Sequence, residues 1–168
     1  MQKTLKIIGA PSLEELRQST AFPKANDYQR GPIPIIECIE EIPCNPCETV
    51  CPKGAIKVGN PITNQPVIDF SLCSGCGICI AKCPGLAIYI LDINYNQDEA
   101  LITFPYEYLP LPQKGQTVSL VNRLGNTICQ GRVIKVINHD LYDHTTLISV
   151  VFPKVHYENV ISMKRLDK

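Results

Sequence analysis

The strongest strand signal in the chain lies at Thr145 to Phe152, a run rich in β-branched residues that stops at Pro153. Shorter alternating pieces precede it. Thr117 to Val121 alternates, Leu124-Gly125-Asn126 turns, and Thr127 to Gln130 continues. Gly131 interrupts, Arg132 to Ile137 resumes, and Asn138-His139-Asp140 turns again. Short strands at this spacing predict a small all-β, barrel-like domain over residues 113–168. Upstream, Pro105, Pro110 and Pro112 punctuate 93–112, which reads as a linker. Ala55 to Val58, Val67-Ile68 and Ala87 to Ile90 are apolar pieces of strand length. Near the N-terminus, Leu5 to Ile8 suits a short strand. Ser12 with Glu15 forms a capping box that opens a helix from Leu13 to Gln18. Leu13 and Leu16 offer too little apolar surface for that helix to stand alone, and Pro23 and Gly31-Pro32-Ile33-Pro34 keep the chain extended. Residues 1–34 are therefore expected to be an arm, poorly ordered or laid along a partner subunit.

Composition changes the picture at one residue type. Nine Cys stand among 168 residues, with 14 Pro and no Trp. A disulfide framework would require export, and the first residues show no secretory pattern. The longest apolar run, Leu86 to Leu91, is far shorter than the roughly 18–20 residues that span a bilayer. A reducing, cytoplasmic compartment is expected, where clustered Cys read as metal ligands. Formal net charge is +0, so whole-chain charge gives no reason to expect nucleic acid as a partner.

Eight of the nine Cys fall into two runs. The downstream run is Cys73-x2-Cys76-x2-Cys79-x3-Cys83-Pro84. This spacing holds a 4Fe–4S cluster, and its fourth Cys typically ligates the other cluster of a pair. The partner run lies 32 residues upstream, where Cys51-Pro52-Lys53-Gly54-Ala55-Ile56 aligns with Cys83-Pro84-Gly85-Leu86-Ala87-Ile88. The same offset pairs Cys47 with Cys79 and Cys44 with Cys76, but it pairs Glu41 with Cys73. A Cys does precede Glu41, three residues early, at Cys38.

Interleaving then assigns Cys38, Cys44, Cys47 and Cys83 to a first cluster, and Cys73, Cys76, Cys79 and Cys51 to a second. Three readings fit the irregular position. Cys38 ligates across a bulge, Glu41 ligates through oxygen, or the site holds three irons. Thiolate is the better ligand for iron in a cluster, so Cys38 is preferred. Zinc sites pair their Cys two by two across a dozen or more residues, which this spacing does not do. Ser74, Gly75, Gly77, Ala81 and Gly85 let backbone N–H groups approach the sulfur atoms, while Ile56, Ile78, Ile80 and Ile88 exclude water. Lys53 and Lys82 read as solvated surface charge. Cys129 stands apart and reads as a buried structural thiol, and His139, His144 and His156 read as surface residues. No nucleophile–base set, phosphate loop or dinucleotide fingerprint is present, so no catalytic residue and no substrate site is assigned. The expected class is α+β: a ferredoxin-like two-cluster 4Fe–4S domain over 35–92, then the barrel-like domain.

Residues 35–92 resemble the two-cluster bacterial ferredoxins. A closer resemblance runs from Ile36-Glu37-Cys38 through Pro43-Cys44-Asn45-Pro46-Cys47 and Cys51-Pro52-Lys53-Gly54-Ala55-Ile56. It continues through Gly75-Cys76-Gly77-Ile78-Cys79, Cys83 to Ile88, and Phe104-Pro105-Tyr106-Glu107-Tyr108-Leu109-Pro110-Leu111-Pro112. These stretches are similar to the small iron–sulfur subunits of flavin-dependent amino-acid dehydrogenase complexes of the proline, hydroxyproline, opine and glycine type. The resemblance implies a non-catalytic electron-transfer subunit with two 4Fe–4S clusters. It implies partners of two kinds, a glycine-oxidase-like amine dehydrogenase and a dinucleotide-fold flavoprotein. FAD or FMN, and NAD(P), would reside on those partners only. It also shares the displaced Cys38. A free-standing ferredoxin-type carrier is the alternative, although it has no need of the arm or the barrel. An RNA-binding module using Lys114, Arg123, Arg132 and Lys135 is a third reading, weakened by the lack of aromatic residues among those basic strands.

Overall fold

The computed structural model describes residues 4–167; Met1 to Lys3 of the arm, and Lys168, lie outside the described residues. The elements run α1 (Thr4–Ile8), α2 (Leu13–Arg17), β1 (Ile33–Ile36), α3 (Pro46–Thr49), β2 (Ile56–Lys57), β3 (Val67–Ile68), α4 (Ile78–Lys82) and β4 (Ile88–Asp92). Then come β5 (Glu99–Tyr106), β6 (Thr117–Val121), β7 (Thr127–Ile137), β8 (Thr146–Pro153) and β9 (Ser162–Met163). The fold is mixed, with short helices and sheets whose strand pairs are all antiparallel.

The repeat seen in the cysteines is also a repeat of backbone pairing. In β1–β4, Ile36 lies opposite Ile88; in β2–β3, Ile68 lies opposite Ile56. Adding 32 to Ile36 gives Ile68, and adding 32 to Ile56 gives Ile88. The bonds past each strand end match too. Glu37 N–H donates to the Ala87 carbonyl at 2.9 Å, and Asp69 N–H donates to that of Ala55 at 2.8 Å. Each half thus contributes one strand to each pair. All four isoleucines are buried in a small core with Cys79, Ile80, Ala81, Ile90 and Leu147.

Of the two strand pairs, one stays two-stranded, and the other, β1–β4, opens a seven-stranded sheet of order β1-β4-β5-β8-β7-β6-β9. The strands expected to form a separate barrel therefore continue the sheet that the cysteine half begins. Their order leaves β1 and β9 as its ends. The stretch 93–112, expected as a linker, contains β5, which alternates between half-buried and buried over eight residues and pairs with β4 and β8. β8 is buried over seven of its eight residues, as a strand between β5 and β7 with both faces covered must be.

The N-terminal arm lies on this sheet. Leu16, Phe22 and Tyr28 are buried in one core with Ile35, Ile102, Phe104 and Val160. The described residues of the arm thus pack against the chain's own sheet. The few apolar side chains of the arm are enough because the sheet supplies the opposing face. The capping box is formed as expected, with Glu15 N–H donating to Ser12 Oγ at 3.2 Å and Ser12 N–H to the Glu15 carboxylate at 2.7 Å. Residues 5–8 form a helix, not the expected strand. So short an apolar run fits either period, and here it ends on Gly9, whose φ of 76° and N–H bond to the Leu5 carbonyl close a helical turn.

Gly131 does not interrupt β7. The strand runs through it, pairing with β6 on one side and, from Arg132 onward, with β8. A Cβ at Gly131 would sit 2.5 Å from Val150 Cγ1, 2.7 Å from Leu120 Cδ1 and 3.0 Å from the Val151 carbonyl oxygen. Glycine is required for space, since its φ is not in the left-handed region. Gly131→Val is expected to lower stability by about 1–3 kcal/mol, the usual cost of overpacking a filled core. Chemical denaturation reads the change, and an unshifted midpoint would contradict the packing described.

Candidate metal centre

The eight clustered thiols line two pockets. One is lined by Cys38, Cys44, Cys47 and Cys83. The other is lined by Cys51, Cys73, Cys76 and Cys79. Each takes three Cys from one run and one from the other. The crossing follows from the strand pairing. β4 begins just after Cys83 and lies against β1, which leads into Cys38. β2 begins just after Cys51 and lies against β3, which leads toward Cys73. The short helices α3 and α4 carry Cys47 and Cys79.

All nine cysteines are free thiols. Backbone N–H groups point at several of the clustered ones, again in related pairs. Ala55 N–H donates to Cys51 Sγ at 3.3 Å, and Ala87 N–H to Cys83 Sγ at 3.4 Å. Gly75 N–H donates to Cys73 Sγ at 3.4 Å. The pocket walls are otherwise largely apolar, with Ile36, Val58 and Ile88 on one and Ile56, Ile90 and Pro34 on the other.

This setting acts on the thiols in two directions. Burial pushes Cys79 up to about 12 and Cys47 up to about 11, and raises Cys38 and Cys73 as well. At Cys51 burial also pushes up, but the N–H groups of Ile56, Lys53, Ala55 and Gly54 together hold the thiol below its ordinary value. Thiolate is the form of Cys that ligates a metal, and metal binding releases the thiol proton. Among the described residues no three His, Cys, Asp or Glu side chains are grouped so as to hold a single metal ion. Four soft sulfur donors, N–H groups aimed at sulfur and an apolar wall together fit an iron–sulfur cluster in each pocket.

The irregular position is placed as follows. Cys38 is on the wall of the first pocket, and Cys83 and Cys44 are near enough to raise its pKa further. Glu41 is exposed and is not part of that wall. Cys129 is half-buried in β7, opposite Leu120, and lines neither pocket. His139 and His144 are exposed and His156 is half-buried. Lys53 is exposed, while Lys82 pairs with Asp143.

Arg123, grouped with exposed basic residues of the β part, is 10% exposed at its side chain and forms a fork with Glu37, itself 11% exposed. Its Nη2 and Nε donate to the two Glu37 carboxylate oxygens at 2.6 and 3.1 Å. Its Nη1 donates to the Glu158 carbonyl at 3.0 Å, and Tyr89 Oη donates to Glu37 at 2.8 Å. No local pattern signals this cluster, because Glu37 and Arg123 are 86 positions apart. The one hint was a carboxylate directly before a candidate ligand.

Comparison with known proteins agrees with the donor chemistry. Residues 66–89 match the 4Fe-4S binding domain family. The chain is 32% identical over 120 residues to translation initiation factor rli1 of Schizosaccharomyces pombe, covering 61% of this chain and 20% of that protein. It is 34% identical over 61 residues to the ferredoxin-type protein NapF of Haemophilus influenzae, 35% of each chain. It is 45% identical over 47 residues to a subunit of the ion-translocating oxidoreductase complex of Methanosarcina acetivorans, 28% of this chain and 17% of that one. The chain thus spans between about a sixth and about a third of the length of these relatives. No solved structure matches it. The chain carries a ferredoxin-type 4Fe–4S binding domain. No described helix is long and apolar enough to cross a membrane.

Proposed function

We propose that this chain is the iron–sulfur electron-transfer subunit of a flavin-dependent amino-acid dehydrogenase complex. It relays electrons between flavins, or to another acceptor, through two 4Fe–4S clusters in the cytoplasm. The observation that carries this reading is the sorting of eight thiols into two four-thiol pockets. Cys38, Cys44, Cys47 and Cys83 hold one cluster; Cys51, Cys73, Cys76 and Cys79 hold the other. When bound, each cluster supplies a one-electron couple whose potential follows from burial and from hydrogen bonds to sulfur. The chain's residues supply those settings: the Ala55, Ala87 and Gly75 N–H groups and the isoleucine walls. Substrate oxidation belongs to a glycine-oxidase-like flavoprotein, and onward transfer to a dinucleotide-fold flavoprotein. The similarity to NapF and to an oxidoreductase component supports electron transfer; the amino-acid dehydrogenase partners rest on the resemblance of residues 36–112.

Anaerobic purification of the native assembly tests this. The expected preparation is brown, contains about eight iron per copy of this chain, and includes flavoproteins whose amino-acid substrate bleaches the clusters. Cys38→Ala is expected to lose the first cluster's EPR signal, and Glu41→Gln to keep both. A chain that purifies alone as a cluster-loaded monomer would favour the free-standing carrier instead.

The similarity over 120 residues to a protein named as a translation initiation factor favours a second reading in which the clusters are structural and Lys114, Arg132 and Lys135 contact RNA. These three side chains are on exposed residues, whereas Arg123 is held by Glu37. Salt-sensitive RNA binding that is indifferent to cluster reduction would support it, and its absence at low salt would retire it.

A further inference from the structure

We infer that Arg123 is a positioning residue for the first cluster: it clamps Glu37, whose backbone leads directly into Cys38, and so fixes the chain where Cys38 and Cys83 line one pocket, and it balances the Glu37 charge on that segment. The inference rests on the proposed two-cluster reading and adds to it a role for the C-terminal β part.

Glu37 and Asp69 are equivalent positions, 32 residues apart, and each N–H holds the matching alanine carbonyl of the other half. Their carboxylates are used differently. Asp69 folds back on its own loop, accepting from Ser71 N–H at 2.8 Å and from Ser71 Oγ at 2.5 Å. That local turn leads into Cys73, four residues on. In the other half the first thiol stands immediately after the carboxylate, at Cys38, so no such turn separates them. Glu37 is instead gripped from outside, by Arg123 from the turn after β6 and by Tyr89 from β4.

The grip reaches two ligands at once. Cys38 is the next residue in the chain. Glu37 N–H also holds the Ala87 carbonyl, and the Ala87 N–H donates to Cys83 Sγ. Cys44 and Cys47 are close in sequence and need little help to meet. Cys38 and Cys83 are the distant pair, and Glu37 is bonded on the path to both. The fork geometry suits arginine, because two parallel N–H bonds fix the carboxylate in direction as well as position. Removing one partner would leave the other charge buried and unpaired.

Charge and position can be separated. Glu37→Gln leaves a guanidinium that cannot lose its proton, so a positive charge stands uncompensated against the segment that leads into Cys38. The reduction potential of that cluster is expected to rise, with the second cluster's unchanged. Adding Arg123→Met to Glu37→Gln removes the charge and is expected to return the potential toward the wild-type value. Arg123→Met alone is expected to lower iron from about eight toward about four per chain, with the second cluster's EPR signal kept. The first cluster is identified as the one lost in Cys44→Ala. Arg123→Lys and Tyr89→Phe, milder changes, keep the test open if Arg123→Met does not fold: each should shift the first cluster's EPR line shape and leave the second alone.

Potentiometric EPR titration, iron analysis and melting of the unloaded chain read these outcomes. Equal movement of both potentials, or lower melting temperatures in all variants with both clusters loaded and unmoved, would overturn the inference and leave an ordinary buried ion pair. A wild-type chain that takes up no iron would instead overturn the two-cluster reading and this inference with it.

Discussion

Cys51→Ala is expected to destroy the cluster held by the downstream run, and Cys83→Ala the cluster held by the upstream run. Each replacement should take iron from about eight to about four per chain and remove one EPR signal. The signal removed should be the one belonging to the other run's three remaining cysteines. Chain proximity predicts the opposite. Cys51 closes the upstream run in sequence, four residues after Cys47, yet it lines the pocket of Cys73, Cys76 and Cys79. Cys83 lies four residues after Cys79, yet it lines the pocket of Cys38, Cys44 and Cys47. The assignment is read by combining variants: Cys51→Ala with Cys76→Ala should cost no more iron than either alone, and Cys51→Ala with Cys44→Ala should remove both clusters. If Cys51→Ala and Cys44→Ala instead prove to share one cluster, each run closes on itself and the crossing is wrong. Stability should follow iron. The core between the pockets is small, and cluster binding adds its free energy to folding, so each single variant should also melt earlier than the fully loaded protein.

What could be read in advance depended on whether a residue's role was local. The cysteine spacing and the Cys-Pro repeat are local, and they led to the two thiol sets that line the two pockets. The capping box is local too. The repeat goes further in the backbone than in the residue types: Gly54 and Leu86 are equivalent positions, and both have positive φ, 60° and 51°. Each N–H closes the same turn on the carbonyl of Cys51 or Cys83 at 3.1 Å. A leucine in that conformation gave no sign of itself, since it is glycine that ordinarily marks a left-handed residue. β5 carries a legible period, since Ala100, Ile102, Phe104 and Tyr106 alternate, but Pro105 within the strand and Pro110 and Pro112 after it suggest a linker. The burial of the arm and of Arg123 was not legible. Both depend on partners more than fifty positions away, Phe104 and Ile102 for Leu16 and Glu37 for Arg123, and neither leaves a period or a spacing.

Gly75→Ala is expected to be the most damaging change of a single methyl group in the cysteine half, and the reason is geometric. Gly75 lies between Cys73 and Cys76 with φ at 65°. Alanine there adopts the left-handed conformation at a cost of about 1–2 kcal/mol. The added Cβ would also lie 2.4 Å from the Pro32 carbonyl oxygen, a backbone atom that cannot rotate aside. Separating them means moving either the loop of Cys73 and Cys76 or the entry to β1, for roughly 1–3 kcal/mol more. Moving the loop also displaces the Gly75 N–H from Cys73 Sγ. Against a total stability of roughly 5–15 kcal/mol, the sum is a large fraction. The expected result is an unloaded chain that melts well below wild type and a loaded one that keeps the first cluster while losing the second. Gly85→Ala is the matched control. Gly85 has nothing within 4 Å of its Cβ position and no left-handed φ, so its replacement should leave melting and iron unchanged. Equal behaviour of the two variants would show that Pro32 does not press on the cysteine loop.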